Sequence, residues 1–166
     1  MATGPAARLT DTVAHPLPGH LTPGLGSMNV IIGFLKAWRG VLAAAAAALQ
    51  SAKQASDAVI QGLESATAAA AGTPGLPAAK AAEETGKATA LATMGSAIMS
   101  AAAGADIHIC ATLLPTPPHG PGVVIDGSKT VLINFLPACR QTDHVLEALG
   151  PLDPIVLGCQ TVIIGG

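Results

Sequence analysis

Residues 26–39 and 127–140 are near-copies of one another, and this repeat limits what the 166-residue chain can fold into more than any other feature. The first copy reads Gly26-Ser27-Met28-Asn29-Val30-Ile31-Ile32-Gly33-Phe34-Leu35-Lys36-Ala37-Trp38-Arg39, and the second Gly127-Ser128-Lys129-Thr130-Val131-Leu132-Ile133-Asn134-Phe135-Leu136-Pro137-Ala138-Cys139-Arg140. Without a gap, eight of 14 positions are identical. A shortened copy, Gly158 to Gly165, closes the sequence, and the Ala-x-Arg half recurs near its start as Pro5-Ala6-Ala7-Arg8. Asp11 follows Arg8 by three positions, as Asp143 follows Arg140. The layout predicts roughly three β-hairpin units, the first and last cut at the termini. Units that bury little alone must stack on one another.

Each unit has a local physical logic. Gly-Ser opens a turn, because glycine reaches backbone angles that other residues resist. Val-x-Ile is a short strand with alternating faces. Gly33 or Asn134 then turns the chain, since both tolerate a left-handed conformation. Phe34 and Phe135 follow that turn, and Ala-x-Arg returns as the paired strand. The Arg–Asp pair ties strand end to loop. Such a pair on the surface contributes little.

Between the repeats, residues 41–105 change character, being dominated by Ala, Gly, Ser and Thr. Alanine is the strongest helix former, so Val41 to about Ala71 and about Ala78 to Ala103 are predicted helices. Gly72-Thr73-Pro74-Gly75-Leu76-Pro77 breaks them apart. Leu91, Met94 and Ile98 share one helical face. Ala88 to Ala105 is 18 residues without charge, yet its small and hydroxyl side chains give little transfer energy, and Lys53, Asp57 and Glu64 charge the first helix. A soluble antiparallel helical hairpin is expected. The chain is therefore read as a mainly β unit, residues 1–40 and 106–166, with an Ala-rich α-helical hairpin inserted at 41–105.

Composition excludes several functions. Aromatic residues are 2% of the chain and the net charge is −2, so neither base stacking nor a basic field recruits nucleic acid. Disorder is excluded by 11% charged and 50% apolar residues. Met1 to Arg8 carry no Sec-type signal pattern, so synthesis in the cytoplasm is expected. Three cysteines without secretory context point to burial or metal binding rather than disulfides.

The Pro-Ala-Ala-Arg at Pro5–Arg8, its variants Pro137-Ala138-Cys139-Arg140 and Lys36-Ala37-Trp38-Arg39, and the spaced Gly-Ser-x-x-Val-x-Ile runs resemble the PAAR-repeat proteins. These are spike-tip proteins of contractile injection machines, namely type VI secretion and related phage-tail-like particles. The resemblance covers residues 4–40 and 106–166 and not the insert. It implies a small cone of pseudo-threefold β-hairpins that caps a trimeric β-helical spike, one cone per trimer, aids membrane puncture and carries a bound metal near its apex. It implies delivery outside the cell or into a target cell, with transient contact with the target membrane. Val30, Ile32, Val131, Ile133, Val162 and Ile164 are expected to supply the strands and the spike-binding base. No toxin extension is expected after the repeats, and cargo is expected on a separate chain. The insert either braces the cone or contacts an effector or chaperone.

Small domains often need a metal staple, and structural zinc takes four Cys or His ligands. The resemblance places one ligand four residues after the repeat Asp and another in a His-Gly step. Those positions are His15 after Asp11, Cys110 after Asp106, and His119 before Gly120. In the third unit the position holds Glu147, which departs from the expected Cys or His. His108 is the chosen fourth ligand, since two residues from Cys110 on an extended strand is the same face. His20 and His144 are alternatives. Cys139 and Cys159 are expected to be small buried fillers. The competing functions are a zinc-binding adaptor unrelated to puncture and a zinc-dependent enzyme. The latter is disfavoured because four ligands close the site and no His-Glu-x-x-His helix occurs.

Overall fold

The computed structural model describes residues 3–15, 19–110 and 118–166. Among them are twelve short strands and two long helices. In chain order the strands are β1 Gly4–Ala6, β2 Thr12–Val13, β3 Gly19–His20, β4 Ile31–Ile32, β5 Leu35–Lys36, then, after the helices, β6 His108–Cys110, β7 Gly120–Val124, β8 Leu132–Ile133, β9 Leu136–Pro137, β10 His144–Glu147, β11 Asp153–Pro154 and β12 Cys159–Ile164. The helices are α1 Ala43–Ala69 and α2 Leu76–Ala102. This is a mixed α/β fold and not the mainly β one expected. The strands are two to six residues long while each helix has 27.

The repeats become three two-stranded ribbons in one register. Ile32 pairs with Leu35, Ile133 with Leu136, and Ile164 with Gly4. The three are then joined in a closed ring by backbone hydrogen bonds. The Trp38 N–H donates to the Ala7 carbonyl at 3.0 Å, Cys139 to Trp38 at 3.1 Å, and Ala7 to Cys139 at 2.9 Å. These are equivalent positions of the three copies, so each copy hands one bond to the next in cyclic order. Two side-chain bonds also link the ribbons: the Ser27 hydroxyl donates to Asn134 of the second ribbon, and Ser128 to the Gly165 carbonyl of the third. The ring residues are unequal in size. Trp38 fills the interior beside Ala7 and Cys139, all three wholly buried. One large residue beside two small ones occupies a space that three equal side chains would overfill or leave void.

The Arg–Asp pairs are buried clamps and not the surface pairs expected. In each copy the Arg backbone N–H and guanidinium both donate to one carboxylate. Arg8 bonds Asp11, Arg39 bonds Asp106 and Arg140 bonds Asp143, with backbone N–H to Oδ2 distances of 2.8, 2.9 and 2.8 Å. All three Asp side chains are buried. The hydrogen bond to Asp11 holds the Arg8 guanidinium above its usual range, and Asp106 does the same for Arg39. Two of the pairs are three positions apart; the middle one is 67 apart. The helical hairpin leaves the body and returns within one clamp.

The hairpin is anchored at one end only. The buried residues of α1 are Ala46, Leu49 and Lys53, and those of α2 are Met94, Gly95, Ile98 and Ala102. They pack on the sheet of order β11-β10-β7-β6, in one core cluster with Val123, Leu146 and Ala148. At 1.5 Å per residue a 27-residue helix spans about 40 Å, so more than half of each helix extends past this foothold. No helix among the described residues is long and apolar enough to cross a membrane.

Candidate metal centre

The strands that leave the clamps converge. The residue four places after each clamp aspartate is His15, Cys110 or Glu147, so one repeat position delivers three side chains to one point. β7 lies between β10 and β6 and is preceded by His119, which supplies a fourth. Ligand atoms of His15, Cys110, His119 and Glu147 all lie within 4.8 Å of one another. His15, Cys110 and His119 are in the group where the repeat put them. Glu147 joins it in place of a Cys or His.

His108 stands directly against this group. Its Nε2 is 3.3 Å from His15 Nε2 and 3.1 Å from Glu147 Oε1, which is also 3.1 Å from His15 Nε2. Two places after the other two clamp aspartates stand Val13 and Val145, fully buried core residues. His108 thus occupies a core position of the repeat with a polar ring. The other contacts are His119 Nδ1 to Glu147 Oε2 at 2.7 Å, Cys110 Sγ to His15 Nδ1 at 3.8 Å, and His15 Nδ1 to Asp153 Oδ2 at 3.5 Å. Burial pushes the Asp153 carboxyl above its ordinary range, against the pull of His15. His20 and His144 lie outside the cluster. His20 Nδ1 faces the Thr10 carbonyl and His144 pairs with Asp126, both at exposed positions.

The donor set fits a divalent cation. Glu147 Oε1, 3.1 Å from two imidazole nitrogens, and Asp153 Oδ2, 3.5 Å from a third, make no hydrogen bond though buried, and His108 Nδ1 and Trp38 Nε1 are likewise unpartnered, a cost that native interiors avoid. Within the group, Glu147 Oε1 lies 3.1 Å from His15 Nε2, and one ligand atom from each of the four residues lies within 4.8 Å of the others. Tetrahedral bonds of about 2.0–2.1 Å to nitrogen and oxygen give edges of about 3.3–3.4 Å. A thiolate at Cys110 and a carboxylate at Glu147 neutralise a doubly charged ion, which a site this deeply buried requires.

Helix α2 fixes the backbone beside His119. Gly120 sits at φ +82°, and a Cβ there would lie 2.6 Å from Leu91 Cδ1 and 3.4 Å from Ala148 Cβ. Gly120→Ala is expected to cost about 1–2 kcal/mol through the left-handed backbone. Thermal unfolding checks it. Because the strain is in the backbone, adding Leu91→Ala should not restore the lost stability.

The six residues assigned to the spike-binding base divide between two environments. Ile32, Ile133 and Ile164 point inward, buried with Ala6, Ala37, Ala138 and Cys159, and Val30 packs against them. Val131 and Val162 are exposed. The outward positions are Ile31, Leu132 and Ile163. Phe34 and Phe135 are more exposed still, at 98% and 89%. They lie within the turns and not after them: Gly33 and Phe34 have φ of 53° and 68°, Asn134 and Phe135 of 53° and 66°. Positive φ at both central residues defines the type I′ turn that suits the twist of paired strands.

Comparison with protein families, curated proteins and solved structures returns no match.

Proposed function

We propose that this chain is the metal-pinned, PAAR-like tip of a contractile injection machine, a structural cone seated on a trimeric β-helical spike. The observation that carries this reading is the closed ring of three hydrogen bonds among Ala7, Trp38 and Cys139. One chain imitates threefold symmetry, and such symmetry has a use where a single molecule must sit on a threefold partner. Chemistry differs across the ring. The preceding residues, Ala6, Ala37 and Ala138, belong to the ribbon cluster with its two projecting phenylalanines. The strands that follow lead to the metal centre. A bare apolar face with aromatic projections is the anatomy of a docking surface.

The ion is zinc in this reading, because imidazole, thiolate and carboxylate donors in a compact buried group suit it. His15, Cys110, His119 and Glu147 hold it, with His108 in contact. It ties together strands from all three copies, so the tip resists opening under load. Membrane contact is transient during puncture, delivery is to the outside or to a target cell, and nucleic acid has no part. The unanchored half of the helical hairpin offers a place for an effector or chaperone.

Co-expression with a trimeric spike protein tests the reading. Mass measurement of the purified complex should give one copy of this chain per three spike chains. Three copies per trimer, or no complex, would contradict it.

A further inference from the structure

We propose that the cavity between the helical hairpin and residues 149–151 is the port through which the divalent cation reaches and leaves the buried centre. The inference rests on the metal reading above and goes beyond it, since it gives the insert a task. Among the described residues of the cluster, His15, Cys110, His108 and Glu147 are shut off from solvent, and only the His119 side chain is open, at 20%. That ring borders a cavity of about 360 Å³ whose other walls include Asp57, Ile60, Glu64, Lys87 and Gly150. The centre therefore meets solvent at the hairpin.

The volume holds about ten waters at roughly 30 Å³ each. A hydrated ion enters it whole and sheds water at His119. The far wall of the ring is glycine for a reason. A Cβ on Gly150, at φ +85°, would stand 3.0–3.2 Å from three atoms of the His119 imidazole. The backbone closes against the ring there and leaves the hairpin side as the open one.

The walls carry a cation-attracting balance. Lys87 is held between Glu64 at 2.7 Å and Glu83 at 2.6 Å. Lys53 is paired with Asp57. Of the charged residues that line the recess, Asp57 and Glu64 are acidic and Lys87 is basic, and a recess with net negative charge raises the local concentration of cations. The walls come from both helices, so the hairpin, at a point beyond its buried foothold, forms a channel that a two-residue clamp loop would lack.

Zinc exchange in the whole chain tests the port. Protein stripped with a chelator, with helicity confirmed by circular dichroism, is mixed with zinc ion in stopped flow. Release is followed with a chromogenic chelator. Ile60→Trp fills the cavity from α1 and Pro151→Trp fills it from the opposite wall. Each should slow uptake and release together by about tenfold, with the dissociation constant unchanged, because a route has been narrowed and no ligand altered. Wild-type uptake should also slow with added salt, and Glu64→Gln should weaken that dependence. Wild-type rates in the tryptophan variants would overturn the port while leaving the metal centre standing. Should those variants not fold, salt-independent uptake by the wild type overturns it. A wild-type chain that takes up no zinc removes the centre and the port together.

Discussion

Stripping the metal is expected to lower the thermal midpoint by about 15–30 °C. The size follows from linkage. An ion held about a million-fold below its working concentration stabilises the folded chain by about 8 kcal/mol, within the range of structural zinc sites. In a domain of this length each kcal/mol moves the midpoint by about 2–4 °C. The ligand cluster draws on Cys110 of β6, Glu147 of β10, His119 before β7 and His15 beyond β2, so the ion would tie the four-stranded sheet to a segment outside it. Glu147→Gln keeps the volume and removes the charge. It should leave less than about a fifth of an equivalent of zinc, since an uncompensated cation in a buried site is costly. Elemental analysis and calorimetry read both results. Equal midpoints with and without chelator, or full zinc content in Glu147→Gln, would dispose of the site.

The second large effect pairs a loss with a gain. Phe135→Gly is expected to weaken spike binding by about 30- to 1,000-fold, the range of an aromatic anchor removed from an interface centre. The same substitution should leave the isolated chain as stable as before or more so. Phe135 holds φ at 66° with its ring in solvent, and glycine after Asn134 is the pairing that a type I′ turn prefers. Phe34→Gly should act in the same direction. A residue that strains its own turn with its ring in solvent is what the proposed docking role would account for. If binding and stability fall together, the phenylalanines are structural and the docking surface lies elsewhere.

Much of this molecule can be read from the repeat. Identity at eight of 14 positions carries the ribbons, and the Arg–Asp spacing beyond them points to the clamps and to His15 and Cys110. Composition alone shows the helical hairpin. Three features resist such reading for separate reasons. Glu147 stands at the same repeat position as His15 and Cys110, so position pointed to it while residue type pointed away. A carboxylate is a common surface residue, and only its complete burial reveals it as part of the cluster. The inward face of the ribbons was also hidden. Strand alternation says that Val30 and Ile32 share a face, but not which face turns to the core. The division of Ile31 from Ile32 comes from the ring, a long-range closure with no local signature. Trp38 shows the same limit. Its ring lies in the shared interior because Ala7 and Cys139 leave room for it, a fact about three distant segments at once.

The clamp between Arg39 and Asp106 has a consequence for how this fold can diversify. The same carboxylate grip closes a two-residue link in the sister copies and a sixty-odd-residue excursion here. Loop length enters folding free energy only logarithmically, so the body scarcely registers what is spliced into that socket. A passenger need bring only a matching foot, as Ala46, Leu49, Ile98 and Ala102 do for this one. The two short clamps are vacant sockets of the same design, and a body with three of them is a ready chassis for grafted segments.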